Sequence, residues 1–422
     1  MPNLLQSPVH LLDIAIYLIA HEQIAFVSCS PTPSTTPTTT SKRDGASHQF
    51  KAQFRNPSEI FSVLLLIGGD TIQKAVAQMT GRKVTLVAFS FGWVAHSFSA
   101  LVAAFGDGAL MPKPDVSASV IVVSSRNKKS NSSWVLGRLV RDLERIVDEK
   151  MEPWERDSGL IVSVFDAIEG GKQPTTDVCF YSFFICCFIQ LFIAAVPIVL
   201  HRDWSIVLIT LVGTILSICT GSLRKWREEK YSCREGSKES YILTRGNGHR
   251  HVFIVRGNER GLGLALDDLA GAVVQTCRRT RLACGLSAFL WFAFLVTAGG
   301  LDGNKWCLLG VGTVGMIQNV FVAGRRRSPH SHGIPLSELH ESILGKVTVR
   351  DRRPKVMDVL FQVEEKYPGI GLAIRPEFFE DCSLREEEIK TWAAHERKLE
   401  DIKAKEKFER EASRGNLAGS IG

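Results

Sequence analysis

The sequence predicts a mainly α-helical, polytopic membrane protein of six or seven spans, with a small α/β cytoplasmic domain assembled from its loops. Three observations predict it. Several runs of about twenty residues carry no charge, the length that crosses a ~30 Å hydrocarbon slab at a rise of ~1.5 Å per residue. Basic residues crowd the ends of those runs. The stretches between the runs alternate like strands or repeat like amphipathic helices, which linkers do not. Bulk composition hides this segregation, since 422 residues with 45% hydrophobic content and a net charge of +7 suit an ordinary soluble chain. Basic residues gathered at apolar ends argue against a nucleic-acid partner. The ten cysteines include no C-x-x-C, so neither zinc nor a disulfide framework is signalled, and no cofactor is implied.

Residues 1–55 read as a poorly ordered N-terminal region. Within it "HLLDIAIYLIAHEQIAFVSC" (10–29) is long enough to span, but Asp13, His21 and Glu22 would each cost roughly 1–3 kcal/mol depending on depth. This run separates a count of six from seven, and "SPTPSTTPTTTS" after it is a Ser/Thr/Pro linker. Residues 56–106 read as a membrane hairpin. Its limbs are roughly 59–80 and "VTLVAFSFGWVAHSFSALVAAFG" (84–106), joined at "TGRK" on the outer side, which leaves Arg82 and Lys83 as the one breach of the positive-inside rule. A second hairpin, 178–223, pairs "VCFYSFFICCFIQLFIAAVPIVL" with "WSIVLITLVGTILSICTGSL" across His201, Arg202 and Asp203. A third, 282–324, pairs "LACGLSAFLWFAFLVTAGGL" with "WCLLGVGTVGMIQNVFVAG" across "DGNK". Arg224, Lys225 and Arg227, then Arg278, Arg279 and Arg281, then Arg325, Arg326 and Arg327 flank these hairpins and assign that side, with the C-terminus, to the cytoplasm.

The cytoplasmic pieces follow. Loop 107–177 reads as strand (116–125), helix (131–150) and strand (159–168), a βαβ unit. Its helix puts Val135, Leu139, Leu143 and Ile146 on one face and leaves Arg138, Asp142 and Arg145 as exposed charges. Loop 224–281 reads as a β-hairpin over 240–258 turning at Asn247-Gly248. The tail 325–422 reads as helical. Pro354 opens one helix and Pro368 follows its end, and Ser383 with Glu386 has the capping-box spacing for a solvated, charged one.

"NPSEIFSVLLLIGGDTIQKAVAQ", "VAFSFGWVAHSFSALVAAFGDG", "SWVLGRLVRDLE", "LTRGNGHRHVFIV" and "GVGTVGMIQNVFVAG" together resemble an uncharacterised family of multi-pass membrane proteins in filamentous ascomycete fungi. The resemblance covers about residues 56–392 and implies a membrane location, but no activity.

Within the predicted spans the polar set is Asp70, Gln73, Lys74 and His96. Asp70 and Lys74 have the favourable i,i+4 order for a helical ion pair, and the hairpin would bring His96 to within about one helical turn of them in depth. Two readings follow: a proton or ion relay, or a self-neutralised contact that fixes the hairpin. Gly213, Ser217 and Gly221, and Gly312, Gly315 and Asn319, are small-residue stripes suited to helix packing. In the cytoplasmic hairpin, Gly246, Asn247, Gly248, His249 and His251 form a glycine-rich turn without phosphate-loop spacing, and two histidines lack a third metal ligand. No Ser-His-Asp set, carboxylate pair or H-E-x-x-H indicates an enzyme. The expected function is a membrane-anchored cytoplasmic scaffold or sensing module, whose partners are the lipid bilayer and a cytoplasmic protein. The alternative is a small ion- or proton-coupled transporter or channel using Asp70, Lys74 and His96. The sequon Asn131-Ser132-Ser133 falls on the cytoplasmic side.

Overall fold

A computed structural model describes residues 58–419, apart from 107, 153–158, 170–171, 259, 262, 272–273, 275, 302, 345–354 and 380–383. The expectations for residues 1–55, the run 10–29 included, and those at Pro354 and Ser383 lie outside the described residues. The chain opens with α1 (Ser58–Met79) and α2 (Gly92–Phe105). Next come β1 (Ser119–Val122), β2 (Lys128–Ser130), α3 (Trp134–Lys150) and β3 (Ile161–Asp166). Then α4 (Val178–His201), α5 (Ser205–Gly221) and the short α6 (Arg224–Lys230) follow. A second group holds β4 (Glu235–Ser237), β5 (Tyr241–Thr244), β6 (His251–Arg256), β7 (Gly263–Leu264) and α7 (Leu266–Gly271). The chain continues through α8 (Arg278–Gly299), α9 (Lys305–Gly324), a 3₁₀ turn (Pro329–His332) and β8 (Glu341–Leu344). It ends with α10 (Val356–Lys366), α11 (Ile370–Phe378) and α12 (Glu386–Gly419).

Among the described residues, α4, α8 and α9 are long and apolar enough to cross a membrane, and a fourth crossing arises only if α5 and α6, bent by 42°, count as one. The reading of six or seven spans is overturned. Its main physical error lies in 84–106, which is no single helix: residues 85–90 have no regular structure and only the fourteen residues of α2 are helical. The apolar helices still turn hydrocarbon outward. Phe188, Phe192, Val199, Leu282 and Phe289 are 66% to 81% exposed, a larger apolar surface than soluble monomers commonly show. The short connectors after α4 and α8 meet at the far end, where the Asn304 amide donates to Asp203 at 2.9 Å.

The opposite end carries a six-stranded mixed sheet in the order β2-β1-β5-β6-β3-β8. Only β3 and β6 pair in parallel; β1 with β2, β1 with β5, β5 with β6 and β3 with β8 are antiparallel. Both β1 and β3 flank α3 in sequence, yet the β5–β6 hairpin inserts between them, so the expected βαβ unit is split. Both sheet faces are covered. Val120, Phe165, Leu243, Phe253 and Val255 belong to one core that continues through Val135 and Leu139 of α3 into Phe89, Trp93 and Trp291 of the helix bundle. Ile121, Val162, Val164, Ile242, Val252 and Ile254 on the other face pack against Leu360, Val363, Ile374 and Trp392 of the C-terminal helices. Two buried faces explain why "IVSVF" and "HVFIV" are nearly continuous apolar runs. The tail is therefore more than a row of helices beside the domain: β8 extends the sheet and α10 to α12 roof it. Although α12 is mostly exposed over residues 386–405, it buries Trp392 and Leu399, and the Arg385 amide donates to Glu388 at 2.9 Å to close its first turn.

Candidate functional site

Residues 85–90 run through the middle of the bundle as a non-helical thread. Along α5 the contacts step back one helical turn for every two residues of thread. Thr85 packs near Gly221, the Ser217 hydroxyl donates to Val87 O at 3.2 Å, and Gly213 meets the Phe89 ring. Four helical residues advance ~6 Å and two extended residues ~6.6 Å, so the thread advances as an extended chain beside the helix. On the other side Asn319 donates to Ala88 O at 3.2 Å, and a Cβ at Gly315 would stand 1.7 Å from Phe89 O. A Cβ at Gly312 would stand 2.4 Å from the Phe91 ring. Both small-residue stripes thus form the walls of a groove for a strand-like segment, where helix-on-helix packing was expected. Irregular backbone inside such a bundle must have its polar groups met by protein. Gln190 donates to Phe89 O at 2.8 Å, Trp93 Nε1 donates to Ala88 O at 2.9 Å, and the Ala88 amide donates to Gln318 at 3.3 Å. An aromatic stack seals the groove, with Trp93 and Trp291 parallel at 5.9 Å and Phe89 edge-on to Phe294 at 5.3 Å.

This thread reverses the predicted geometry of the first hairpin. The end of α1 and "TGRK" lie at the sheet-bearing end: Lys230 donates to Ala77 O, Gln78 O and Thr80 O, and Arg82 donates to Pro174 O. The chain then dives along the thread, turns where Gly92 touches Gly68, and climbs back through α2 to the same end, where Arg281 donates to Ala104 O. Arg82 and Lys83 therefore share an end with the other basic clusters, and their apparent breach of the charge rule disappears.

Of the predicted intramembrane set, Asp70 and Lys74 do pair, at 2.8 Å, with side chains 70% and 41% exposed. Gln73 lies beside them and donates to Leu110 O. His96 does not join them. It is buried against Trp93 and Trp226, and neither ring nitrogen has a hydrogen-bond partner. The reason is the parallel course of α1 and α2: Gly69 meets Ala95 and the His96 backbone, while Asp70 turns outward.

A dense polar cluster joins bundle to sheet, and it corrects the expectation that Arg138 and Asp142 are exposed charges. Arg138 and Asp142 are buried because α3 is packed on two sides; Arg145 alone of the three is exposed. Arg138 donates to Asp115 at 2.7 Å and to the α9 carbonyls Ala323 O and, just beyond the helix, Arg325 O. Arg327 donates from its side chain to Asp177 and Gln78 O, and from its backbone to Asp142. His332 Nε2 lies 3.0 Å from the same Asp142 oxygen. Burial drives the His332 imidazole down to about 4, and Asp142 offsets this only in part. Burial also works to raise the Asp142 carboxyl, but the His332 hydrogen bond, the Arg327 amide and Arg138 together hold it below the usual carboxylate range. The available signal was the wide apolar arc of α3, where Trp134, Leu136 and Val140 lie off the single face first assigned.

An open cleft of about 960 Å³ lies beside this cluster, between α1, the end of α9 and the loop 109–115. Asp70, Lys74, Lys113, Asp115, Arg138 and Arg141 supply its charges. In the sheet, the β5–β6 hairpin forms, but its connection is the six residues 245–250, with Gly246 and Gly248 both at positive φ, instead of a two-residue turn at Asn247-Gly248. His251 is buried, 3.2 Å from Asp148 and stacked on Phe253, whereas His249 is half-buried in the loop. Among the described residues no group of three or more His, Cys, Asp or Glu could hold a metal. Comparison with protein-family models, with curated proteins and with solved structures finds no match to this chain.

Proposed function

We propose that the chain is a multi-pass, membrane-anchored sensing module, whose helix bundle reports its state to the cytoplasmic sheet domain. The observation that carries the reading is the buried ionic layer. Arg138, Lys230 and Arg327 hold the C-terminal ends of α1 and α9 directly against α3 and the 3₁₀ turn, so a shift of either helix is transmitted to the sheet without an intervening linker. Cations at helix C-termini also complement the helix dipoles. The three basic clusters at this end support a cytoplasmic side for it by the positive-inside rule, with residues 80–106 re-entering from that side. The resemblance to the fungal multi-pass family agrees with a membrane location. The transport alternative has less support, because thread carbonyls suited to a cation are already bonded to Gln190, Ser217 and Asn319, and His96 stands apart from Asp70 and Lys74.

Anchoring is tested with single added thiols. In sealed vesicles, a membrane-impermeant maleimide is expected to label Gly303→Cys and Lys398→Cys from opposite sides, above the level of the parent chain, whose Cys219 and Cys277 are exposed. Labelling of both from one side without permeabilisation would sink the reading.

A further inference from the structure

We infer that the cleft between α1, the end of α9 and the loop 109–115 is a binding site for a phosphate-bearing headgroup. The inference rests on the membrane-anchored reading for the depth of the site, and on the cleft's own chemistry for its ligand.

Cations outnumber acids in the lining. The lining holds the cations Lys74, Lys113, Arg138 and Arg141 and the acids Asp70 and Asp115. Both guanidinium groups converge on a single oxygen, Asp115 Oδ2, at 2.7 and 2.8 Å. Arg141 also reaches Asp142, but that carboxylate is shared with His332 and the Arg327 amide. Arg138 is engaged by Asp115, by the carbonyls Ala323 O and Arg325 O and, with Nε at 3.9 Å, by Asp142, so it backs the site, whereas Arg141 lines the cleft with its side chain 21% exposed. Lys113 is exposed at the rim. The partly exposed Arg141 guanidinium, backed by Arg138 and flanked by two ammonium groups, suits the tetrahedral oxygens of a phosphate far better than a carboxamide or sugar.

The walls indicate what the phosphate is attached to. Ala103, Val320, Ala323 and Gly324 form the apolar side, and Val320 is 55% exposed on the outward face of α9. The cleft is thus open towards the hydrocarbon-bearing surface on one side and charged on the other, at the level where α9 ends. A phospholipid presents those two surfaces in that order. Its volume also lies within the ~300–1,000 Å³ common for sites of this kind.

The test uses the full chain in nanodiscs of zwitterionic lipid, with dioctanoyl phosphatidic acid, dioctanoylglycerol and inorganic phosphate as probes. Phosphatidic acid is expected to bind, and about tenfold more weakly to the double variant Lys74→Gln/Lys113→Gln, which removes two exposed charge-assisted contacts without touching the core. Lys398→Gln, a charge removed from α12, is expected to leave binding unchanged. If excess inorganic phosphate fails to displace the lipid, the source is a headgroup; if it displaces the lipid fully, the same phosphate chemistry serves a soluble ligand. Dioctanoylglycerol binding as tightly, or the double variant binding like the parent chain, overturns the assignment. Insertion is scored separately, by resistance to alkaline carbonate extraction. An extracted chain defeats the membrane reading, whereas an inserted chain that ignores phosphatidic acid defeats only the cleft.

Discussion

The last turn of α1 leaves carbonyl oxygens without intrahelical donors, and the Lys230 side chain meets Ala77 O at 2.9 Å, Gln78 O at 3.1 Å and Thr80 O at 2.6 Å. Burial and Arg327 work against the charge on this lysine, but three acceptors call for three N–H donors, which only the ammonium form has. Lys230→Met keeps the apolar stem and strands the carbonyls, at a cost of about 3 kcal/mol. A thermal unfolding scan in detergent is expected to show a clear drop in Tm, and an unchanged Tm would remove Lys230 from the junction. His332 gives a second handle. In its neutral form Nε2–H donates to Asp142, and the folded-state value near 4 lies below the ordinary 6.5. The unfolded chain therefore takes up the proton first, so stability is full above about pH 6.5 and falls as pH drops towards 4. The loss amounts to about 3 kcal/mol at the low end of that window. Lys230 and Arg327 add positive charge around the site and oppose protonation too. In His332→Gln that part of the pH dependence should vanish from unfolding curves taken between pH 7 and 4.5; an unaltered slope would reject the assignment.

At the scale of elements, the thread and its groove depend on the absence of side chains. Gly315 has no room for a methyl group because Phe89 O occupies the place. Gly315→Ala must push the thread off Gln190 and Asn319 or move α9, with an expected loss of more than about 3 kcal/mol. Gly324→Ala, with nothing within 4 Å of its added carbon, is the matched control in the same helix and should be neutral or slightly stabilising. Equal effects of the two in a detergent stability assay would mean that the groove does not hold the thread. This is also where sequence reading met its limit. The apolar runs of α4, α8 and α9 and the dense β-branched residues of β3 and β6 were legible, because each element's own composition decides its type. Gly213/Ser217/Gly221 and Gly312/Gly315/Asn319 were legible as a close approach but not as an approach of what, since a strand and a helix need the same empty space. The course of 84–106 was hidden by its length, which matches a span even though its first third is not helical.

For the molecule as a whole, the buried second face of the sheet makes the C-terminal helices structural. Ending the chain at residue 354 would uncover Ile121, Val162, Val164, Ile242, Val252 and Ile254 together. The expected result is aggregation on size exclusion, with no monodisperse peak; a well-behaved truncated chain would show that α10 to α12 are accessory. Pairing order was beyond sequence reading for a related reason. The nearly continuous apolar runs of β3 and β6 mark strands buried on both faces, but neighbours separated by a whole helical hairpin leave no local trace of each other. The site suffered similarly: Asp70 and Lys74 are close in sequence and were found, whereas Arg138, Asp142, Arg327 and His332 meet only after α9 has returned to the sheet.

Strand order also sets the timetable of assembly. When β3 leaves the ribosome its parallel neighbour β6 has not been made, and the α4–α5 hairpin must be in place before β6 can reach it. The opposite edge of β3 waits longer still, until α8 and α9 have delivered β8. For most of synthesis the nascent sheet therefore presents unpaired edges, which are adhesive surfaces for any neighbouring chain. Production of this protein should be limited less by the endurance of the finished fold than by how well those edges are shielded during translation, and slower elongation or extra chaperone capacity is the lever to try first.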